Sequence, residues 1–300
     1  MKSEAVALPV ARGRALDFVA LAKPRLNLLV VATTCVGFYL ATGARADLLV
    51  LVSTIVGTTL VAAGSAALNQ VYERDIDGLM LRTRTRPLPA GRIQPGEAGA
   101  FGVIASLTGL ACLTWGANIL AGTLALVTLV SYLAAYTPLK RLTPASTLVG
   151  AVPGALPPMI GWAAARGELG PPAWALFAIV FIWQIPHFFA IAWLCRDDYA
   201  RAGLPMLPVI DEDGSRTGGV SLLFAVALVA VATLPTIVGL TGTLYLFGAV
   251  LLGAAFVVLT LQFARRRTTA RARWLFFGSL IYLPALWVLM IVDRTPGFGG

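Results

Sequence analysis

The chain has 300 residues, 58% of them hydrophobic and only 12% charged, with a mean hydropathy of +0.82. A soluble domain of this length carries about twice that charge fraction, so composition excludes a soluble globular protein and describes a polytopic membrane protein. The net charge of +9 would suggest a nucleic-acid partner in a soluble chain. Here the basic residues sit between apolar runs, where they set topology, and no nucleic acid is expected.

Residues 1–25 carry Lys2, Arg12, Arg14, Lys23 and Arg25 with no apolar run, which reads as a cytoplasmic tail rather than a cleaved signal peptide. Nine apolar stretches follow, at about 26–43, 48–72, 98–116, 118–136, 146–164, 172–195, 218–238, 242–264 and 273–292. The expected fold is all-α: nine transmembrane helices forming one domain over 26–292, around a central cavity open to the cytoplasmic side. A short external tail, 293–300, closes the chain. Cys35, Cys112 and Cys195 lie in separate spans with no CxxC spacing, which leaves buried free thiols as the default. With the N-terminus cytoplasmic, only Arg45, Arg166 and Arg294 of the 23 Lys and Arg fall on the external side. The positive-inside rule fixes that orientation in a membrane whose lipid surrounds the chain. Gly57, Gly64 and Ala67 in the second span belong to the small-residue class that lets helices approach closely.

The second span runs into Asn69-Gln70-Val71-Tyr72-Glu73-Arg74-Asp75-Ile76-Asp77. On a continuing helix, Asn69, Glu73 and Asp77 fall at i, i+4 and i+8, stacked on one face at its solvated end, while Asp75 points away. One amide and two carboxylates in a column suit Mg²⁺, which keeps some waters and shares substrate phosphates. Arg82 and Arg86, just downstream, can supply charge to a diphosphate. Lys23-Pro24-Arg25 and Lys140-Arg141 also lie at cytoplasmic span ends, where they serve topology, lipid headgroups or the same diphosphate.

A second polar island follows the sixth span, four spans later, and also begins with acids, Asp197 and Asp198. This is a weak internal echo, with two acidic sites facing one cavity. Before it stand Gln184, either an interhelical hydrogen bond or a substrate contact, and His187, the single histidine. A lone membrane histidine can ligate haem, act as a base, or be a hydrogen-bonded core residue.

The column Asn69-x-x-x-Glu73-x-x-x-Asp77 followed by Arg82-Thr83-x-x-Arg86-Pro87-Leu88 resembles the first signature of the UbiA-type intramembrane prenyltransferases. Several runs are similar to the branch that farnesylates protohaem: Lys23-Pro24-Arg25, Tyr136 to Arg141, Gly154 to Trp162, Pro186-His187-Phe188 and Asp198 to Val209. The likeness covers about residues 20–290. It implies farnesyl diphosphate as donor, haem B as acceptor and Mg²⁺ as cofactor. The metal would be held by Asn69, Glu73, Asp77 and Asp198, these four forming the catalytic set. Lys23, Arg25, Arg82, Arg86, Lys140 and Arg141 would grip the diphosphate, and His187 would meet the haem. The resemblance further implies the bacterial plasma (inner) membrane, and a haem A synthase or oxidase assembly factor as partner. A prenyltransferase for a quinone precursor or other aromatic or tetrapyrrole acceptor is the alternative; a carrier for an anionic lipid is a third. The chain departs from the superfamily in having Glu73 where Asp is usual. Asp197 and Asp198 are adjacent, with Leu194 four residues before Asp198, so the usual second pair of aspartates is not reproduced. Ser146 stands where related sequences commonly have Asn.

Overall fold

Apolar runs too long for a soluble core become helices here because lipid offers no partner to a free backbone N–H or C=O. In the computed structural model, which describes residues 13–42 and 46–295, nine described helices are long and apolar enough to cross a membrane. They are Pro24–Thr42, Leu48–Tyr72, Pro95–Gly116, Ile119–Leu139, Ser146–Arg166, Pro171–Leu194, Ser215–Ile237, Thr243–Arg266 and Thr269–Val292. Each expected span has its helix, with ends moved by four residues at most. Residues 1–12 of the expected N-terminal tail, Arg45, and residues 296–300 of the expected external tail lie outside the described residues. No strand forms among the described residues; Thr241 and Arg294 make one isolated antiparallel bridge.

The span ends show why they start where they do. Asp47 accepts from the N–H groups of Leu49 (2.8 Å) and Val50 (3.3 Å), and Asn118 from that of Ala121 (2.9 Å). Gln94 and Glu97 form a capping box behind Pro95. These side chains satisfy donors that helix geometry orphans.

Small residues bring spans together. A Cβ on Gly109 of the third span would stand 2.6 Å from the carbonyl oxygen of Gly57 in the second, closer than such atoms tolerate. Gly64 faces the Gly102 carbonyl oxygen in the same way, at 2.6 Å. Ala67 instead packs with Leu21, Leu88, Ile93 and Ala98, beneath the polar end of the span. The fifth and sixth spans are the most buried, and the largest apolar cluster gathers around them, with Trp162, Leu176, Tyr245, Phe256 and Trp287.

Three irregularities matter for the site. The fourth span widens into a π-helical turn at Ser131–Tyr136, just before Pro138, which has no N–H to continue the α-helical ladder. The fifth breaks at Leu156, ahead of Pro157-Pro158. Short helices, Arg74–Leu79 and Arg196–Arg201, continue the second and sixth spans beyond a break.

Candidate functional site

The second span ends at Tyr72, and Glu73 (φ −95°, ψ 7°) is a hinge rather than a helical residue. The i→i−4 bonds nevertheless persist: the N–H of Glu73 reaches the Asn69 carbonyl at 2.9 Å, and that of Asp77 the Glu73 carbonyl at 2.8 Å. Asn69, Glu73 and Asp77 therefore remain on one face across the hinge.

That face is not solvated. Asn69, Glu73 and Asp77 are 3%, 3% and 1% exposed, a correction to the expectation of a wet helix end. The chain from Met80 to Ile93 folds back over the column, with Met80, Leu88 and Ile93 buried. The short helix Arg14–Leu21 lies over that loop: Arg92 Nε donates to Asp17 at 3.0 Å, and Gln70 Nε2 to the Leu21 carbonyl at 2.8 Å. A sequence gives no sign of this lid, because it depends on residues 17 and 92 meeting across 75 positions.

Buried carboxylates need partners. Lys140 Nζ donates to both oxygens of Glu73, at 3.0 and 3.2 Å. Arg86 Nη1 donates to Asp77 Oδ2 at 2.7 Å, while Asp77 Oδ1 is buried without a hydrogen-bond partner. Asn69 Nδ2 donates to Thr137 Oγ1 at 3.2 Å, and that hydroxyl gives its own proton to the Tyr132 carbonyl at 2.8 Å. Thr137 can thus only accept from Asn69, which directs the amide nitrogen to Thr137 and the amide oxygen away from it. Thr83 Oγ1 donates to the Asp77 carbonyl at 2.8 Å. Thr83 and Thr137 stand in runs that carry the family resemblance, beside Arg86 and Lys140, but the sequence alone gives neither of them a role.

The other basic candidates divide. Lys23 takes a left-handed backbone (φ 47°), unusual for a side-chain-bearing residue and a mark of local strain. Burial pulls its pKa down to about 8, helped by Arg86 and Lys140 and opposed by Glu73 and Asp77; it faces the column. Arg141 is turned outward: it grips Asp75 at 2.7 and 3.0 Å, donates to the Tyr72 carbonyl and covers the Tyr72 ring. Burial of Asp75 works against its charge, but the hydrogen bond from Arg141 dominates and holds the carboxyl below its usual range. Arg25 and Arg82 are exposed.

Asp198 lies over the returning loop. Its Oδ1 accepts the N–H of Leu81 at 3.0 Å and its Oδ2 that of Arg82 at 3.3 Å, and Arg201 pairs with it. Its burial opposes ionisation, yet Arg201 and the two amides outweigh it and keep the carboxyl below the ordinary range. Among the described residues no group of three or more His, Cys, Asp or Glu side chains is placed to hold a metal.

His187 is 8% exposed, stacked between Trp183 (4.8 Å) and Phe276 (5.3 Å), with Nδ1 2.7 Å from Ser279 Oγ. Because Ser279 donates to the Phe276 carbonyl at 2.6 Å, its oxygen accepts from Nδ1–H, which leaves Nε2 with the lone pair. Gln184 donates to the carbonyls of Ala151 and Val180, both at 3.1 Å, the interhelical option of the two expected. Ser146 is fully buried.

The chain has known relatives. Residues 30–281 match the UbiA prenyltransferase family. The chain is 47% identical over 290 residues to the protoheme IX farnesyltransferase of Solibacter usitatus, covering 94% of this chain and 99% of that one. It is 43% identical over 297 residues to the protein of the same name from Myxococcus xanthus, covering 99% of each. A UbiA homolog from Archaeoglobus fulgidus, solved bound to GPP and Mg²⁺, superposes with a TM-score of 0.65 at 16% identity, over 91% of this chain and 99% of that one. That superposition shares the fold.

Proposed function

The chain belongs to the UbiA prenyltransferase family, and on that premise we propose that it moves the farnesyl group of farnesyl diphosphate onto a vinyl group of haem B. The products are haem O and diphosphate. The observation that carries the reading is the two ion pairs Glu73–Lys140 and Asp77–Arg86, with both carboxylates buried, gathered where a polar group is expensive.

Mg²⁺ fits this donor set. Asp77 Oδ1 is a buried, partnerless oxygen, and Asn69 and Glu73 complete a hard-oxygen column on the same face. Asn69, Glu73 and Asp77 would hold the ion, leaving its other positions to water and diphosphate oxygens; the part of Asp198, the fourth candidate, is taken up below. When bound, the ion would stabilise the negative charge that builds on the departing diphosphate. The cations do the same from the protein: Lys140, Arg86 and Lys23 lie beside the column, where charge builds as the allylic C–O bond breaks. The haem vinyl carbon then forms a bond to farnesyl C1, the positive charge passes to the carbon next to the porphyrin ring, and water adds there with loss of a proton. The buried walls and the lid from Met80 to Ile93 keep other water out until that point. His187, with Nε2 left unprotonated by Ser279, is the proposed contact to the haem iron.

The carrier reading is disfavoured because the charged cluster lies at one end of the spans, whereas a carrier needs access from both; at the other end two arginines bond to main-chain carbonyls of the first span. Arg294 Nε donates to the Leu40 carbonyl at 3.0 Å and Arg166 to that of Ala41, two residues with no exposure. A single transmembrane domain over 26–292, a cavity open to the cytoplasm, a bacterial plasma membrane location, and a haem A synthase or oxidase assembly partner complete the proposal. Its orientation predicts that reporters fused after residues 92 and 212 read cytoplasmic and one at the C-terminus external; a cytoplasmic C-terminus would overturn it. The activity is tested by supplying purified protein with haem B and farnesyl diphosphate and weighing the extracted haem by mass spectrometry. A haem heavier by farnesyl plus hydroxyl is expected; unmodified haem, with prenyl transfer in a parallel reaction supplied with a quinone precursor, would favour the alternative.

A further inference from the structure

The hinge at Glu73 is repeated at Cys195, and the repeat allows Asp198 to be compared with the first column position by position. Cys195 (φ −110°, ψ 15°) stops the sixth span as Glu73 (φ −95°, ψ 7°) stops the second. Its N–H bonds the Ile191 carbonyl at 3.0 Å, and the N–H of Tyr199 bonds the Cys195 carbonyl at 3.1 Å. Position for position, Ile191, Cys195 and Tyr199 stand where Asn69, Glu73 and Asp77 stand. The second column is therefore apolar or weakly polar. Asp198 corresponds to Ile76, about 100° round the helix from the column face.

Asp198 is committed elsewhere. Consecutive backbone amides of Leu81 and Arg82 enter its two oxygens, one each, from 117 and 116 residues away. Arg201, one turn on, pairs with the same carboxylate, whose side chain is only 13% exposed. Next to these contacts Ile76 and Met80 from the first island pack against Tyr199, Ala202, Leu204 and Met206 from the second. The contact between the islands is thus an apolar plug pinned by one carboxylate. The pinned amides open the loop whose next residues are Thr83, on the Asp77 carbonyl, and Arg86, on the Asp77 side chain.

We propose that Asp198 is a positioning residue, a latch that holds the Leu81–Arg86 loop so that Arg86 meets Asp77 and the diphosphate, and not a ligand of the metal. The inference rests on the assignment of Asn69, Glu73 and Asp77 to the donor site. A ligand loses affinity for the ion once its charge is removed, so Asp198→Asn as well as Asp198→Ala would weaken metal binding. A latch that accepts hydrogen bonds is damaged in steps, since Asn keeps one acceptor oxygen.

The test uses the full-length protein in lipid nanodiscs, with Asp198→Asn, Asp198→Ala and the control Asp77→Asn. Three quantities are read: Mn²⁺ affinity by electron paramagnetic resonance, KM and kcat for farnesyl diphosphate, and the rate of tryptic cleavage after Arg82, Arg84 and Arg86. We expect Mn²⁺ affinity within about twofold of wild type in both Asp198 variants and at least about tenfold weaker in Asp77→Asn. KM should rise about tenfold in Asp198→Ala and about threefold in Asp198→Asn, with kcat changed less. Loop cleavage should accelerate in the same order. Mn²⁺ affinity lost in Asp198→Asn as in Asp77→Asn would overturn the latch and make Asp198 a ligand. Unchanged cleavage and KM in Asp198→Ala would also overturn it. Unchanged Mn²⁺ affinity and activity in Asp77→Asn would instead sink the donor-site assignment beneath it.

Discussion

The second and sixth spans end in the same backbone and present opposite chemistry. Both stop at a hinge, keep the i→i−4 bonds through it, and resume in a six-residue helix. On the second, the shared face carries Asn69, Glu73 and Asp77; on the sixth, Ile191, Cys195 and Tyr199. The hinge supplies a place, and the residues on one face of it decide whether that place binds a charged ligand or buries a neighbour. The first end draws cations from three other elements: Lys23 from before the first span, Arg86 from the returning loop and Lys140 from after the fourth. The second end is filled by its neighbour's Ile76 and Met80.

The contrast is broken most severely at its charged side. Glu73→Gln or Asp77→Asn should lower turnover by at least about 100-fold, because each removes a charged oxygen from the column proposed to hold the metal. Burial adds a consequence that a wet helix end would not: Lys140 or Arg86 is left without its counter-charge, so thermal stability in detergent should fall too. Glu73→Gln combined with Lys140→Met should recover stability without recovering activity, a separation measured by a melting curve beside the farnesylation assay. Full activity in either single variant would erase the difference between the two hinges.

His187 gives the next effect. His187→Ala should weaken haem binding about tenfold by absorbance titration and leave metal-dependent farnesyl diphosphate binding intact. An unchanged Soret band would assign the ring to packing between Trp183 and Phe276. Lys23 then yields a pH effect whose sign follows from its lowered pKa of about 8. Its ammonium is present below that pH and lost above it, so kcat/KM for the donor should fall as pH rises through about 8. Lys23→Ala should flatten that limb. The smallest effect is expected at the apolar hinge and on the outer surface. Cys195→Ala, at the counterpart of Glu73, and Arg141→Gln, whose charge is spent on exposed Asp75, should each stay within about twofold of wild-type activity.

The nine spans were readable because apolar runs of span length have few other uses, and Asn69, Glu73 and Asp77 because four-residue spacing survives even a hinge. What could not be read was the cover. Glu73 and Asp77 are buried by a loop that reverses and by a helix 60 residues earlier, and no periodicity encodes that meeting. Arg141 and Lys140 are adjacent and looked interchangeable, yet one faces Glu73 and the other Asp75. The resemblance makes Asp198 a metal ligand; its two amide partners, Leu81 and Arg82, are set by tertiary structure and leave no mark in the sequence.

The reach of Glu73 to Lys140 also orders events in time. The two residues are 67 positions apart, which at about 5–20 residues per second is about 3–13 s of translation. During that interval two further spans must be made while a carboxylate waits for its counter-ion. Such an unpaired charge cannot be drawn into hydrocarbon, so it keeps the end of the second span at the membrane face until the fourth arrives. Leu81 and Arg82 wait longer still, for Asp198. A chain halted before Asp198 is made would therefore have Thr83 and Arg86 within reach of Asp77 while the amides of Leu81 and Arg82 still lacked the carboxylate that pins them.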